Sequence, residues 1–293
     1  MEVHQLRYAV EVHRRGSFTA AAEILHVSQS GVSAQIAKLE KELGTRFFER
    51  GPRIATPTTS GAALLPLMAR AITDIAQIRQ AADELLGLCR GTVRIGTVIG
   101  CTIPGYLNAF ATFRTSYPDV AVLASEGNSV DLVDRLVSGE LDIALLAHTG
   151  SLPAQLTSTT LIDEPIDVGV PSGHAWQKRS AVRVADLATA DVISLAAGTG
   201  VRAALQQTCE AGEVEITPIV EAHSPETVHS LAERNAGVAV LSRSMIGEPL
   251  TAVPIVGARQ ARLSLASRKA PDIAARAFLG LLAPALLTPR DEQ

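Results

Sequence analysis

Apolar positions near the N-terminus recur every three or four residues and predict three short helices. The first helix ends near Gly16, an alanine-rich second helix follows Ser17, and a third begins after Ser28 and stops at Gly44. Serine caps helix N-termini and glycine ends helices. The apolar side chains that define the first and third helices are Leu6, Ala9 and Val10, then Val32, Ile36, Leu39 and Leu43. A tight turn between the last two helices predicts a helix-turn-helix.

The polar face of the third helix carries the candidate DNA contacts. Its members lie opposite or beside the apolar stripe and are Gln29, Ser30, Ser33, Ala34 and Lys38. Glutamine can form two hydrogen bonds with adenine, serine can bond several base edges, and alanine can contact a thymine methyl. An isolated polar helix face is more often simply solvated. The flanking segments therefore decide between the two interpretations.

The segment 45–58 predicts a basic hairpin after the third helix. Two phenylalanines would anchor it to the core, Gly51 and Pro52 would turn the chain, and two arginines would flank the tip. These four side chains are Phe47, Phe48, Arg50 and Arg53. Arginines on such a wing bind phosphates or the minor groove. We therefore predict a winged helix-turn-helix over residues 1–58.

Residues 59–90 show the pattern of one long helix. Apolar residues alternate at spacings of three and four, as in the seam of a coiled coil. The predicted seam consists of Leu64, Met68, Ala71, Ile75, Ile78, Ala82 and Leu85. We predict a linker helix for dimerisation, with Pro66 near its start. The alternative is a single amphipathic helix that packs on its own chain.

Beyond residue 90 the pattern changes to short strands that alternate with helices. Strands are predicted at 93–97, 120–124, 141–146, 166–170, 192–195, 216–221 and 238–241. This alternation predicts parallel sheets with helices on both faces, in two α/β subdomains of an effector domain at 91–293. We expect the first subdomain at about 91–162 and 266–293 and the second at about 163–265. A last helix at 271–287 would return to the first subdomain.

Loops that follow predicted strands or open predicted helices combine glycine with small polar side chains. In open α/β sheets ligands bind at such loops, where helix N-termini present amides to an anion. The candidate effector ligands are Gly100, Cys101, Thr102, Asn128, Ser129, Thr199, Gly200 and Ser224. They suit a carboxylate or a similar polar effector. Ordinary helix capping explains any one loop better, and the ligand-binding interpretation gains equal weight only from the three loops together with Ser224.

The run SFTAAAEILHVSQSGVSAQIAKLEKELGTRFFER, from Ser17 to Arg50, resembles the DNA-binding signature of LysR-type transcriptional regulators. The phrases SEGNSVDLVDRLVSGELDIALL and ETVHSLAERNAGVAVLS stand where that family's effector domain has its recurrent phrases. This domain is similar to bacterial periplasmic solute-binding proteins. Ala34 departs from a frequent basic residue, and Pro57 and Ser60 depart from the usual sequence after the wing.

The resemblance implies a regulator that binds promoter DNA as a dimer or tetramer. Gln29, Ser30, Ser33 and Ala34 would face bases, and the wing arginines would support them. A small effector in a cleft between two lobes would change promoter occupancy, with RNA polymerase as a further partner. The two other classes are a redox-responsive regulator and a solute-binding or enzymatic domain.

Charge and cysteine content narrow these classes. The net charge is −4, and residues 1–90 hold 11 Lys and Arg against 9 Asp and Glu, whereas residues 91–293 hold 15 against 21. The weakly basic N-terminal part suits a polyanion better than the rest of the chain does. Cys89, Cys101 and Cys209 form no CxxC pair, which excludes a disulfide framework and favours the reducing cytoplasm. Redox sensing would use Cys101 or Cys209.

Other chemistry has little support in the sequence. No apolar run is long enough to predict a membrane span, and none of the seven histidines shows metal-ligand spacing. The motifs GxSxG, GxxxxGK[ST] and GxGxxG after a strand do not occur. We therefore expect no enzyme, no cofactor and no membrane partner.

Overall fold

The computed structural model describes residues 1–49, 55–85, 91–101 and 103–287. Its N-terminal unit contains four helices: α1 (Val3–Arg15), α2 (Phe18–Leu25), α3 (Gln29–Leu43) and α4 (Thr59–Leu85). The predicted caps are confirmed: the Ser17 hydroxyl accepts the Ala20 N–H and the Ser28 hydroxyl accepts the Gly31 N–H. Gly16 and Gly44 end their helices in the left-handed conformation.

The apolar stripes of these helices meet in one core, with one exception. Val32, Ile36 and Leu39 are buried together with the apolar residues of α1. Leu43 is 41% exposed, so its assignment to the buried stripe was wrong. It lies in the last turn of α3, where the helix has already passed the core. A buried Gln5 side chain fixes the packing of α1 on α3 by donating to Gln35 Oε1 at 3.0 Å.

The second unit contains ten strands and six helices within the described residues. In the order of the chain they are β1 (Gly91–Val98), α5 (Pro104–Ser116), β2 (Val120–Gly127), α6 (Ser129–Val137), β3 (Ile143–His148), β4 (Leu156–Val170), β5 (Val182–Arg183), α7 (Val184–Leu187), β6 (Val192–Leu195), α8 (Gly200–Ala211), β7 (Val220–Ala222), α9 (Pro225–Glu233), β8 (Val238–Ser242), β9 (Thr251–Val256), β10 (Gln260–Arg268) and α10 (Ile273–Leu287). A short 3-10 turn, Arg243–Met245, follows β8.

The sheet of this unit is mixed, which corrects the prediction of purely parallel sheets. Strands β1, β2 and β3 are parallel, as are β6, β7 and β8. Strand β10 lies antiparallel between β3 and β4, and β4 continues antiparallel to β8 and β9. The long β4 thus joins two lobes: lobe I around β1, β2, β3 and β10, and lobe II around β6, β7, β8 and β9.

The boundaries of the lobes follow from these pairings. Strand β10 pairs with β3 from Arg262 onward, so the chain returns to lobe I before the predicted position 266. The prediction also omitted β5, β9, β10 and the first half of β4. Predicted strand 216–221 is shorter in the structure, where β7 begins at Val220. Helix α10 packs on α5 in lobe I, the subdomain to which the sequence predicted that the last helix returns.

The helices cover both faces of lobe I. Helices α5 and α10 pack on one face, around Phe113 and Phe278, and α6 packs on the other, through Leu132 and Leu136. Lobe II has one aliphatic core that includes Ile193. Within the described part of the chain, no helix has the length and hydropathy needed to cross a membrane.

Candidate functional site

The outer face of α3 is exposed and carries polar side chains together with two alanines. All five side chains predicted to contact DNA on this helix are exposed: Gln29, Ser30, Ser33, Ala34 and Lys38. Ala37 is also exposed, and the sequence interpretation did not single it out. The Ser30 hydroxyl lies 3.3 Å from that of the capping Ser28. A buried apolar stripe opposite this face keeps the polar side chains directed away from the core.

The described part of the wing is firmly attached to the helical core. Phe47 and Phe48 are buried as predicted, and Phe48 meets Phe18 edge to face with ring centroids 5.5 Å apart. The Phe47 N–H donates to Glu40 Oε1 at 2.7 Å. Residues 50–54, and with them Arg50 and Arg53, lie outside the described residues.

Pro57 fits the returning strand of the wing although it lacks an N–H. It lies opposite Phe48 in an antiparallel bridge, while the neighbouring Glu49 N–H and Thr58 N–H supply the hydrogen bonds to Thr56 O and Phe47 O. A proline is tolerated at a strand position whose N–H is not needed. The departure at Pro57 therefore leaves the attachment of the wing intact.

The predicted dimerisation residues occupy different environments on α4. Met68 is buried in the core of its own unit, beside Leu65, so its burial needs no second chain. Leu64, Ala71 and Ile75 are half-buried, and Ile78 is 69% exposed. The side chain of Leu85 lies outside the described part of the structure. The first half of α4 thus belongs to the helix-turn-helix core, and Ile78 lies beyond it.

A cleft of about 640 Å³ lies between the two lobes of the second unit. Six of the eight predicted effector ligands line it: Gly100, Cys101, Asn128, Thr199, Gly200 and Ser224. Thr102 lies outside the described residues. Ser129 is buried below the surface, and its hydroxyl accepts the Ala147 N–H at 3.1 Å. Ser129 is therefore engaged inside lobe I and does not line the cleft.

Three helix N-termini meet at this cleft, and the predicted polar residues cap them. Asn128 Oδ1 accepts the Asp131 N–H at 2.9 Å at the start of α6. The Thr199 hydroxyl accepts the Arg202 N–H, and the Ser224 hydroxyl accepts the Thr227 N–H. Each N-terminus carries a partial positive charge from the helix dipole. The same residues thus cap the three helices and place their N-termini at the cleft.

The cleft is also lined by side chains of β4, β8, the 3-10 turn, β10, α9 and the loop before α9 that are not among the predicted effector ligands. They include Ile162, Glu164, His223, Glu226, His229, Ser242, Ser244, Met245, Arg262 and Leu263. His229 Nε2 lies 2.8 Å from Gly247 O, a contact that ties α9 to the loop after the 3-10 turn. These residues belong to no motif, and those inside strands lack the combination of glycine with small polar neighbours that marks the predicted loops.

The lobes touch at the floor of the cleft. The Ser129 N–H of α6 donates to Gly198 O at 3.0 Å, and Gln207 Nε2 donates to Thr149 Oγ1 at 2.8 Å. A Cβ atom on Gly200 would lie 2.6 Å from the carbonyl carbon of Ala147, closer than real side chains come. Glycine therefore allows the start of α8 to approach the end of β3.

Neither described cysteine has the environment of a reactive thiolate. Cys101 is half-buried in the cleft wall and Cys209 is buried near the end of α8. Burial raises the pKa of both thiols above the ordinary value. A thiol with a raised pKa is a weaker nucleophile at neutral pH. Within the described residues there is no group of three or more side chains arranged to hold a metal ion.

Both units match known families along most of the chain. Residues 3–62 match the profile described as a bacterial regulatory helix-turn-helix protein of the lysR family, and residues 87–286 match the LysR substrate binding domain. The chain belongs to the LysR family of transcriptional regulators. The fold class and the resemblance inferred from the sequence are thereby confirmed.

Named relatives of this LysR-type regulator are themselves regulators. It is 31% identical over 250 residues to the transcriptional dual regulator GltC of Bacillus subtilis, covering 85% of this chain and 83% of GltC. It is 29% identical over 257 residues to the transcriptional dual regulator OxyR of Escherichia coli, covering 87% and 81%. These relatives are transcriptional regulators, not enzymes, as expected for this chain.

Solved structures share the fold of the regulator. Full-length OxyR from Pseudomonas aeruginosa, in a mutated form, superposes with a TM-score of 0.67 at 24% identity and covers 98% of both chains. The LysR-family regulator CbnR superposes with a TM-score of 0.60 at 19% identity, covering 98% of this chain and 99% of CbnR. At these identities the likeness establishes the architecture alone.

Proposed function

We propose that this regulator reads promoter DNA with the exposed face of α3. The observation that carries the proposal is that Gln29, Ser33 and their three neighbours form one exposed surface opposite a buried stripe. Such a surface fits the major groove, where glutamine and serine bond base edges. Arg50 and Arg53 of the wing would add phosphate or minor-groove contacts.

Fluorescence anisotropy with the upstream DNA of its own gene and a scrambled duplex tests this proposal. The Gln29→Ala/Ser33→Ala variant should lose roughly tenfold to a hundredfold affinity for the specific duplex and little for the scrambled one, because good base pairings contribute about 1–3 kcal/mol each. Lys38→Gln is the matched charge variant and should weaken both duplexes and reduce the salt slope. Equal affinity of all three proteins for both duplexes, at every salt concentration, would contradict the proposal.

We further propose that a small effector with a carboxylate or similar anionic group binds between the lobes. Three capped helix N-termini line the cleft and favour negative charge there. An effector that binds one closure state more tightly shifts the regulator toward that state. In an oligomer joined through α4, with Ile78 on its exposed side, closure would change the spacing of DNA-binding units and the access of RNA polymerase. This activity belongs to the cytoplasm, where the chromosome lies.

Redox sensing is the second candidate, because OxyR-type relatives are named hydrogen peroxide-inducible genes activators. Burial raises the pKa of the Cys101 and Cys209 thiols, which disfavours the reactive thiolate form of both. A Cys101→Ser/Cys209→Ser protein should keep its full response to the effector. Loss of a peroxide response in this variant, with effector binding intact, would favour redox sensing instead.

A further inference from the structure

Charged side chains are distributed unevenly around the effector cleft. Among the described lining residues the charged ones are Glu164, Glu226 and Arg262. Arg262 is already engaged: its Nε donates to Asp163 Oδ2 at 2.9 Å and its Nη1 donates to Thr149 O at 3.4 Å. Positive potential in the cleft therefore comes chiefly from the helix N-termini, and the lining side chains contribute a net negative charge.

Glu164 is built into this lining with one oxygen committed. Its Oε1 accepts the Ser244 N–H at 3.1 Å and the Ser244 hydroxyl at 2.5 Å, which holds the carboxylate against the 3-10 turn. The hydrogen bonds that the described side chains and backbone make to Glu164 all go to Oε1. A carboxylate has two acceptor oxygens, so Glu164, which lines the cleft, keeps acceptor capacity at Oε2 for a further donor.

The remainder of the cleft is largely apolar. Its hydrocarbon lining includes Ile99, Ile162, Leu195, Met245 and Leu263. A ligand that fills this space buries an apolar body, while a few polar groups fix its orientation. A second carboxylate on such a ligand would meet Glu164 with like charge. An ammonium group would instead form a charge-assisted hydrogen bond.

We propose that the effector is a small zwitterion with an apolar body, such as an amino acid with a hydrocarbon side chain. Its carboxylate lies at the helix N-termini and its ammonium group donates to Glu164. This inference rests on the effector cleft proposed above and adds the charge class of the ligand. Glu164 is accordingly a residue that selects between an amino acid and a simple carboxylic acid.

Calorimetry of the full-length chain with matched probes tests the inference. Leucine is compared with 4-methylpentanoate and phenylalanine with 3-phenylpropanoate, since the members of each pair differ by the ammonium group alone. In the Glu164→Gln variant the amide oxygen can still accept from Ser244. The substitution therefore preserves these hydrogen bonds of the cleft lining and removes the negative charge. Glu233→Gln is the matched control, because Glu233 ends α9 and does not line the cleft.

The wild-type chain should bind at least one amino acid about tenfold or more tightly than its deaminated partner. The Glu164→Gln variant should lose about tenfold in affinity for the amino acid and nothing for the acid, because a hydrogen bond between an ammonium group and a carboxylate is stronger than one to a neutral amide. Tighter binding of the acids, an unchanged Glu164→Gln variant, or no binding of any probe would overturn the inference.

A cleft-filling variant separates this inference from the proposal on which it rests. Met245→Trp enlarges a side chain that lines the cleft and should abolish binding of every probe. If the acids bind, the amino acids do not, and Met245→Trp abolishes binding, the effector cleft stands and the zwitterion inference fails. If binding survives in Met245→Trp, the ligand lies elsewhere and both fail.

Discussion

The two lobes of the effector domain are built from different side chains. In lobe I, α5 and α10 enclose an aromatic cluster in which the rings of Phe113 and Phe278 stack with centroids 4.5 Å apart. Lobe II is filled by aliphatic side chains, and Trp176 lies at the margin of its core. Similar β-α-β arrangements are therefore stabilised by aromatic stacking in one lobe and by aliphatic packing in the other.

The same contrast continues into the cleft. Lobe I presents mostly backbone and small or apolar groups, such as Gly100, Cys101 and Asn128. The carboxylates and histidines of the lining come from lobe II and from β4, which crosses between the lobes, among them Glu164 and His229, whereas lobe I contributes Cys101 and Arg262. Selectivity for an effector thus depends more on lobe II and β4 than on lobe I. The wall that lobe I contributes to the cleft is supported by the packing of α5 and α10.

The largest effect should come from opening the aromatic core of lobe I. Phe113→Ala removes a fully buried ring from the stack and should lower the free energy of unfolding by about 3–5 kcal/mol. Chemical denaturation measures this loss. Leu107→Ala, on the exposed side of the same helix, should change stability by less than about 0.5 kcal/mol. Similar losses in the two variants would show that α5 does not pack as described.

Lobe II should depend on an ion pair beside the crossing strand. Asp167 of β4 is 1% exposed and its Oδ2 accepts from Arg243 Nε at 2.6 Å, whereas Arg243 is 53% exposed. The pair with Asp167 raises the pKa of Arg243. Arg243→Met should cost about 2 kcal/mol, since it leaves a buried carboxylate without its cation.

A surface arginine provides the control for this pair. Arg183 contacts Asp186 at 3.3 Å but is well exposed, so Arg183→Met should cost less than about 1 kcal/mol in the same denaturation experiment. Equal losses of stability in the two variants would mean that the burial of Asp167 does not increase the contribution of its ion pair with Arg243.

The contact between the lobes should respond to a single methyl group. Gly200→Ala forces α8 away from Ala147 and should destabilise the domain by about 1–2 kcal/mol, as overpacking does. It should also weaken effector binding, because the displaced helix N-terminus lines the cleft. Gly280→Ala is the matched control: nothing lies within 4 Å of its added Cβ, and it should stabilise α10 by about 0.5–1 kcal/mol. A neutral Gly200→Ala would show that the lobes are not held together there.

Local sequence signals suffice for the N-terminal unit but not for the sheet of the effector domain. Ser17, Ser28 and Gly44 predict helix ends because a cap acts on its own backbone neighbours. Strands β4 and β10 pair with each other although their paired residues lie about a hundred positions apart in the sequence. A local sequence pattern therefore cannot predict this antiparallel pairing. The first half of β4 was also not predicted, because the consecutive polar residues at 157–160 lack the alternation of apolar and polar positions that indicates a strand.

The candidate site divides in the same way. Asn128, Thr199 and Ser224 are predictable because a polar residue after a strand and before a helix is a local pattern. Glu164 is not predictable, since it lies inside a strand, and the Ser244 groups that donate to it are 80 residues away along the chain. Leu43 shows the opposite kind of error, in which a local pattern predicts burial that the fold does not provide. Its position fits the apolar period of α3, but it stays exposed because this end of the helix extends beyond the core.

The smallest expected effect concerns the cysteine in the lobe I wall. Burial raises the pKa of the Cys101 thiol, with a further rise from the charge of Glu126 and a partial offset by a hydrogen bond with the Ile103 backbone. The native state therefore holds this proton more tightly than the unfolded state does, and the resulting stabilisation is lost as pH rises through the raised pKa. Above pH 9.0, the ordinary thiol value, the wild-type chain should lose stability more steeply than Cys101→Ser. Denaturation across this range measures the difference, with Cys209→Ser as the lobe II counterpart, and a steeper decline in Cys101→Ser would contradict the burial of this thiol.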